Sequence, residues 1–216
     1  MRHTIVVLVA LAVALLGWRI AAVVASGREQ HAREVAARAI AERILRAQKE
    51  RATGRSRAPG DDPIGPFAFL STLVDEKRVD GLVRVATSAE RDLWRNDHYV
   101  FHIRLLNKLG RPLARRPERP EEEPGLGSEF ELWAWPLDRK ATSLALFFAS
   151  DSGMLLQGDN GAFAGWRARP EDVSPLPPVT LERDPELDGA GDQWIVVADV
   201  DAPAAAPPAP PPGERR

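Results

Sequence analysis

The N-terminal 26 residues of this chain form a long apolar segment. Residues 4–18 carry no charged side chain, and residues 20–26 continue the apolar run after the single interruption of Arg19. At a helical rise of about 1.5 Å per residue, residues 4–26 extend roughly 34 Å, close to the ~30 Å hydrocarbon thickness of a bilayer. An arginine near one end of such a helix can reach the headgroups. The segment therefore predicts a single-pass membrane anchor over residues 1–27.

A cleaved signal peptide is the alternative interpretation of the same segment. Its end, Val23-Val24-Ala25, contains small residues of the kind that precede a cleavage site. The anchor is favoured because polar, helix-forming sequence follows the segment without a break. The two interpretations differ in whether the segment remains in the mature protein.

The charge balance and the lack of cysteine exclude several classes of protein. The chain has 29 lysines and arginines against 31 aspartates and glutamates, and its net charge is −2. Sequence-independent binding to nucleic acid needs a basic excess, so we expect no nucleic-acid partner. A chain without cysteine has no disulfide, thiolate metal site or thiol nucleophile. Residues 28–200 are enough for one domain, and the Ala/Pro-rich residues 201–216 are predicted to be a disordered tail.

Residues 28–52 have the pattern of a helix that continues out of the apolar segment, and the helical region is predicted to extend to residue 81. One face carries charges of alternating sign at i, i+4 spacing over residues 34–50, which predicts a solvated face. The opposite face carries a narrow stripe of small and branched side chains. Its main residues are Ala36, Ile40, Ile44 and Ala47. Such a stripe packs either on the helix's own domain or in a bundle with other subunits.

The hydrophobic period changes from helical to two near residue 98. Before this point a second short helix is predicted over residues 67–79, where Gly81 would end it. The β-rich runs after it are residues 99–106, 130–135, 143–150, 154–157 and 193–200. We expect them to form an antiparallel sheet of four or five strands, with residues 110–128 as a long flexible loop. The predicted fold class is α+β, a long membrane-spanning helix packed on a small antiparallel sheet.

Trp133 and Trp135 alternate with Ala134 and therefore project from the same face of the predicted strand. One interpretation is that the first helix covers this face. The other is an exposed aromatic platform for a peptide or a glycan, because exposed aromatic pairs mark binding surfaces. Trp133 and Trp135 form the candidate binding face under this second interpretation.

The sequence lacks the common catalytic and cofactor motifs. We find no nucleophile elbow, zinc-protease, phosphate-loop or dinucleotide-binding pattern. His98 and His102 are four residues apart, but along a strand this spacing is roughly 13 Å, too far for two ligands of one zinc ion. We therefore expect no catalytic residue, no metal and no cofactor, and a protein that is not an enzyme.

The order of elements resembles that of the type IV pilin-like proteins, which include the type II secretion pseudopilins. Residues 44–51 (ILRAQKER) look like the helix before the first loop in that family, and residues 99–105 (YVFHIRL) look like its first strand. Further segments similar to pilin-like secretion proteins are residues 134–136 (AWP), residues 146–148 (LFF), Asp151 and Gly153. The resemblance covers about residues 1–166 and implies a pilin-like fold.

The chain departs from this family in its first helix. Prepilins carry a glycine before the cleavage point, then an aromatic residue and a glutamate five residues into the mature helix. Residues 4–26 contain no glutamate, and neither Gly17 nor Gly27 is followed by that pattern. The resemblance therefore implies an accessory or monomeric membrane-anchored relative in preference to a filament subunit.

Two indications of membrane orientation disagree. Arg28, Arg33, Arg38 and Arg43 follow the apolar segment whereas Arg2 precedes it, so the positive-inside rule favours a cytoplasmic C-terminal domain. The resemblance implies an extracytoplasmic domain anchored by one pass in the inner (cytoplasmic) membrane, and we follow it because it uses several separate parts of the chain.

The expected function is a non-enzymatic structural or accessory component of a pilus-like or type II secretion-like envelope assembly. Its expected partners are the membrane and other pilin-like subunits. The alternative function is a membrane-anchored extracytoplasmic binding domain for a peptide or a glycan.

Overall fold

A computed structural model describes residues 2–54, 65–85, 91–107, 109, 111–113, 127–138, 144–158, 160, 163–169 and 194–201, with side chains from Ala14 onward. Within these residues the chain forms two α-helices and eight β-strands. The helices are α1 (Arg2–Gly54) and α2 (Leu70–Asp75). The strands are β1 (Val83–Arg84), β2 (Leu93–Arg95), β3 (Tyr99–Leu106), β4 (Pro112–Leu113), β5 (Glu129–Pro136), β6 (Leu146–Ser150), β7 (Met154–Gly158) and β8 (Ile195–Asp199).

The strands form one antiparallel sheet with the order β1-β2-β3-β5-β6-β7-β8. Strand β4 pairs with the end of β3, on the same side as β2. Strands β3 and β5 form the longest ladder, from Tyr99 opposite Pro136 to Leu106 opposite Glu129. Both strands are rich in aromatic and β-branched residues, which fit a pleated, buried surface. The β3–β5 pair is therefore the centre of the sheet.

The sheet has a core on each face, because side chains alternate along a strand. The larger core lies between the sheet and α1. Its sheet residues include Phe101, Ile103, Phe130, Leu132, Ala134 and Phe147. The smaller core lies on the opposite face and includes Val100, Trp133, Trp135, Phe148 and Leu156. Helix α1 therefore covers one face, and other parts of the chain cover the second.

Helix α2 is shorter than the predicted second helix. The Phe67 N–H donates to the carbonyl of Gly127 (3.1 Å), and the Ala68 N–H donates to Oε1 of Gln48 (3.0 Å), so both residues are held outside the helix. At the other end, Lys77 has a φ of 57°, a left-handed conformation typical of a helix C-terminus. Contacts with distant residues thus set the start of α2, and the hydrophobic period could not show this.

The predicted α+β class, with a long N-terminal helix on an antiparallel sheet, is confirmed. The sheet is larger than the four or five strands expected, since the described residues form eight. Strands β1, β2 and β4 have two or three residues each, too few to show a period of two. Strand β4 lies within the predicted loop 110–128. Most of that loop, and residues 202–216 of the predicted tail, lie outside the described residues.

The membrane-spanning part of the fold prediction concerns residues 1–27. The side chains of residues 1–13 lie outside the described part of the chain. Among the described residues, no helix is both long enough and apolar enough to cross a membrane.

Candidate functional site

Helix α1 has two segments with different surroundings. We call residues 14–26 the free segment, because every one of them is exposed and only Arg19 among them is charged, and residues 33–54 the packed segment, because it lies on the sheet. The exposed large apolar side chains of the free segment are Leu15, Leu16, Trp18, Ile20, Val23 and Val24. Trp18 is 76% exposed, as expected of a side chain on an uncovered helix. Among the described residues, the free segment is therefore an apolar helix surface without protein cover.

The packed segment buries one face against the sheet. Its buried apolar residues are Ala37, Ile40, Ala41, Ile44, Leu45 and Ala47. Of the predicted stripe, Ile40, Ile44 and Ala47 are buried in this chain's own core, whereas Ala36 is exposed. At 100° per residue, the burial of Leu45 moves the centre of the contact away from Ala36. Three of the four stripe residues thus serve internal packing.

A buried amide ties the packed segment to the residues before α2. Gln48 is fully buried, and its Nε2 donates to the carbonyl of Ala68 (2.7 Å) while its Oε1 accepts from the Ala68 N–H (3.0 Å). The pair of bonds satisfies both polar atoms of the amide and both backbone groups of Ala68, which would be costly to bury unpaired. This contact positions α2 against α1.

Contacts at Ala145 fix the place where α1 leaves the sheet. The Ala145 N–H donates to Oε1 of Glu34 (2.9 Å), and its carbonyl accepts from the Tyr99 hydroxyl (3.0 Å). Burial raises the pKa of Tyr99 far above its ordinary value, and the Glu34 carboxylate raises it further, so the hydroxyl remains a donor. Since Ala145 directly precedes β6, Glu34 lies at the end of the sheet where β6 begins.

Two cationic side chains of the packed segment hold strand β8. Arg38 donates to the carbonyl of Val197, and Nζ of Lys49 lies 2.7 Å from Oδ2 of Asp201. The Asp201 carboxylate lies over Gly153, where a Cβ atom would overlap it. Strand β8 is at the edge of the described sheet, and a covered edge carbonyl limits pairing with another chain. The helix thus secures the last described strand at its middle and at its end.

Trp133 and Trp135 lie in the core of the second face. Both are fully buried, and Nε1 of Trp135 donates to the carbonyl of Gly165 (2.9 Å). Helix α1 packs on the opposite face, so it does not cover them; side chains from residues 163–168 and Trp194 do. An aromatic platform needs an exposed ring face, and neither ring has one in this structure. The candidate binding face is part of the second core.

A buried polar cluster adjoins Trp133 on this face. His102 lies opposite Trp133 in the β3–β5 ladder, and Nε of Arg104 lies 2.8 Å from Oε2 of Glu131. The same oxygen accepts from Nε1 of Trp133 (3.5 Å). Nδ1 of His102 lies 3.3 Å from the carbonyl oxygen of Asp92, and since a carbonyl only accepts, Nδ1 carries the proton. The cluster therefore links β2, β3 and β5 by polar contacts beneath the surface.

His102 is held in its neutral form by its surroundings. Burial lowers the pKa of His102, and the Arg91 guanidinium lowers it further, to about 3. Arg91 itself lies 5.5 Å from the centroid of the Trp135 ring and donates to the carbonyl of Ala168 (3.0 Å). The Arg91 guanidinium thus packs on an aromatic ring and a backbone oxygen of the second core.

Sequence reasoning missed the pair formed by Trp166 and Arg167. The Arg167 guanidinium carbon lies 4.6 Å from the centroid of the Trp166 ring, a cation–π contact. The preceding Gly165 donates its N–H to the carbonyl of Pro136 (2.9 Å), so the pair lies at the end of β5. The adjacent tryptophan and arginine are visible in the sequence, but neither a helical nor a strand period marks them.

Among the described residues, no three His, Cys, Asp or Glu side chains come together in a group that could hold a metal ion. No family model matches this chain, and neither a curated protein nor a solved structure does. The functional proposal therefore depends on the fold and its contacts.

Proposed function

We propose that this chain is a non-enzymatic, membrane-anchored structural or accessory component of a pilus-like or type II secretion-like envelope assembly. The observation that carries the proposal is the free segment of α1, which presents apolar side chains to its surroundings on all sides. A helix that is apolar all round belongs in a membrane or in the core of a larger structure. Residues 2–26 supply about 37 Å of continuous helix, more than the ~30 Å hydrocarbon layer requires.

The packed segment supports the same proposal. Helix α1 is continuous from Arg2 to Gly54, so the free segment and the domain are joined without a flexible linker. Glu34, Gln48 and Lys49 fix the packed segment to the sheet by hydrogen bonds and an ion pair. An assembly subunit needs this rigid coupling, because the position of the helix then determines the position of the domain. The arrangement agrees with what the resemblance to pilin-like proteins implies.

We place the domain outside the cytoplasm, with the anchor in the inner membrane. The arginines after the apolar segment oppose this orientation by the positive-inside rule. Arg33 pairs with Glu29 and Arg38 pairs with Glu42, so the positive charge of these two arginines is partly compensated by a neighbouring carboxylate.

Reporter fusions after Asp201 test the orientation. Alkaline phosphatase folds and is active only outside the cytoplasm, whereas common fluorescent proteins exported through the same route stay dark. We expect phosphatase activity and no fluorescence. Bright cytoplasmic fluorescence with an inactive phosphatase would overturn both the localisation and the role in envelope assembly.

Cysteine crosslinking tests the assembly role, since the chain has no cysteine and every crosslink must come from an introduced thiol. Val35 and Ala36 are exposed near the start of the packed segment, and Leu109 is an exposed control far along the chain. We expect Val35→Cys or Ala36→Cys to crosslink envelope proteins in cells and Leu109→Cys to do so much less. Equal yields at the three positions, or no crosslinked partner at any of them, would contradict a role in assembly. Changes at Ile44 are unsuitable here because they disturb the core.

A further inference from the structure

The free segment leaves the domain at one particular end of the sheet. Glu34 meets Ala145 directly before β6, whereas Lys49 meets Asp201 just after β8 ends. Helix α1 therefore runs from the end where β6 and β8 begin toward the end where they finish. We call the first of these the exit end. The strand register places these residues at the exit end: Val83, Arg95, Tyr99, Pro136, Leu146 and Ile195.

Most of the exposed large apolar side chains of the described domain lie toward the exit end. Beyond the free segment, those of the described residues are Val35, Val83, Leu109, Ile195 and Val196, and of these Leu109 follows β3 at the opposite end. Val83 (59% exposed) is on β1 and Ile195 (55% exposed) is on β8, the two edges of the sheet, so they flank the exit end and do not form one patch. Single exposed apolar residues are ordinary, but a bias of them toward the end from which the apolar helix leaves indicates that this end faces the same surroundings.

An aromatic and basic pair belongs to the same end. The Trp166–Arg167 pair follows the glycine that is bonded to the end of β5, and Arg167 is exposed. Tryptophan prefers the headgroup level of a bilayer, and a guanidinium forms strong hydrogen bonds with phosphate. Arg95 adds a second cation at the end of β2, and Asp97 and Asp138 are the nearby acidic residues of the described strand ends. The chemistry of this surface suits a lipid headgroup layer.

The length of α1 between the apolar run and the sheet brings this surface close to a bilayer. Ser26 ends the apolar run and Glu34 lies at the exit end, eight residues later. Eight residues of helix rise about 12 Å, and the polar layer on each side of the hydrocarbon is about 5–8 Å thick. The exit end is thus within side-chain reach of the headgroups.

We propose that the exit end docks on the surface of the phospholipid bilayer that holds the free segment. This inference rests on the proposed membrane anchoring. Val83, Ile195 and Trp166 lie at the headgroup level, and Arg167 binds lipid phosphate. Docking adds a second attachment to the single helix, so the domain keeps a fixed orientation on the membrane.

Single-cysteine variants of the full chain, carrying an environment-sensitive fluorophore and reconstituted in lipid vesicles, test the docking. The variants are Val83→Cys and Ile195→Cys at the exit end, Leu109→Cys as the matched exposed control, and Trp18→Cys in the free segment. Quenching is measured with lipids that carry a nitroxide on the headgroup or deep on the acyl chain. We expect headgroup quenching and a blue shift at Val83 and Ile195, and neither at Leu109.

The reporter at Trp18 separates failure of docking from failure of anchoring. Acyl-chain quenching at Trp18, with Val83 and Ile195 quenched no more than Leu109, would overturn the docking and leave the anchor intact. Without quenching at Trp18 the anchor fails, and docking then stands only if Val83 and Ile195 are still quenched. If Trp18, Val83 and Ile195 all lack quenching, both the anchoring and the docking are overturned.

Lipid charge tests the role of Arg167. In vesicles that contain phosphatidylglycerol, Arg167→Glu should lower the docked fraction reported at Val83 several-fold. A basic residue near an anionic surface contributes about a kcal/mol, which corresponds to roughly a five-fold change in population. Arg46→Glu, at an exposed position of the packed segment, is the control and should leave the signal unchanged. Equal effects of both substitutions, or none of either, would overturn the assignment of Arg167 to lipid phosphate.

Discussion

The free and packed segments of α1 belong to one continuous helix but differ in what surrounds them. In the free segment, Trp18 and Val23 are exposed at 76% and 72%, and apolar residues occupy every side. In the packed segment, Ile44 and Leu45 are fully buried, while Arg46 next to them is exposed. The first pattern has no helical period, and the second has a clear one.

This difference teaches how a helix's pattern relates to its environment. An apolar face of limited width needs one covering surface, and the chain's own sheet supplies it for the packed segment. Apolar residues on all sides need cover in every direction, which one sheet cannot give. In the proposed function a lipid bilayer supplies this cover to the free segment, and the following predictions test the contrast.

The largest expected effect is that of a charge placed in the packed segment. Ile44→Asp puts a carboxylate at a fully buried position of the larger core, and we expect a loss of more than about 4 kcal/mol in the free energy of unfolding. Urea denaturation of the chain in detergent, followed by circular dichroism, measures it. Arg46→Asp, two residues away and exposed, is the control and should change the free energy of unfolding by about 0.5 kcal/mol or less. Similar losses in both variants would contradict the observed packing.

Tryptophans of the two regions should differ almost as strongly. Trp133 is fully buried, and its ring centroid lies 4.8 Å from that of Phe148, so Trp133→Ala should cost about 3–5 kcal/mol of unfolding free energy. Trp18→Ala removes the same side chain from the free segment and should leave the stability of the domain unchanged. The same denaturation experiment compares the two. A loss at Trp133 below about 1 kcal/mol would mean that the second face is not a packed core.

The same charged substitution in the free segment should act on the membrane and not on the fold. Val23→Asp should weaken membrane retention by about 1–2 kcal/mol and leave the unfolding of the domain unchanged; this is less than the roughly 3 kcal/mol of a carboxylate at the centre of a membrane helix, because Val23 lies three residues from the end of the apolar run. Carbonate extraction or partition into vesicles measures retention, with Val23→Leu as the control. If Val23→Asp unfolds the domain instead, the two segments are not independent.

The smallest expected effect, taken for a change of one pH unit, is a pH dependence that comes from His102. Its pKa is about 3 in the folded chain and 6.5 in a solvated one, so between these pH values the unfolded chain binds the extra proton. The free energy of unfolding should therefore fall as the pH falls from 6.5 toward 3, by on the order of 1 kcal/mol for each pH unit. Denaturation curves across this range, compared with those of His102→Gln, isolate the contribution. Parallel pH profiles for the two chains would show that His102 is not buried in its neutral form.

The regular elements of this fold were predictable from local pattern. Strand β3 was predicted with the bounds that it has, and β5, β7 and β8 were each predicted within two residues. The packed segment of α1 was predicted from its stripe, apart from Ala36. These elements are long enough for a period of 2 or 3.6 to show above the variation of single residues.

The parts that failed depend on contacts between distant residues. Helix α2 begins late because Gly127 and Gln48 hold the two residues that precede Phe69. Trp133 and Trp135 were assigned correctly to one face, but the covering element is not α1. A strand's pattern shows which side chains share a face, and it carries no information on what packs against that face.

The sequence by itself determined the α+β class, the continuous helix with an apolar and an amphipathic part, and the strands of the sheet's centre and of its β8 edge. Local pattern is enough for these, because the preference of each residue and the period along the chain act over a few neighbours. The tertiary structure alone decided that α1 lies on the face opposite Trp133, that His102 is neutral, and that Val83, Trp166 and Ile195 lie toward the same end of the sheet. Each of these depends on the register and crossing of elements far apart in the chain, where burial and partner charges act through space and not along the sequence.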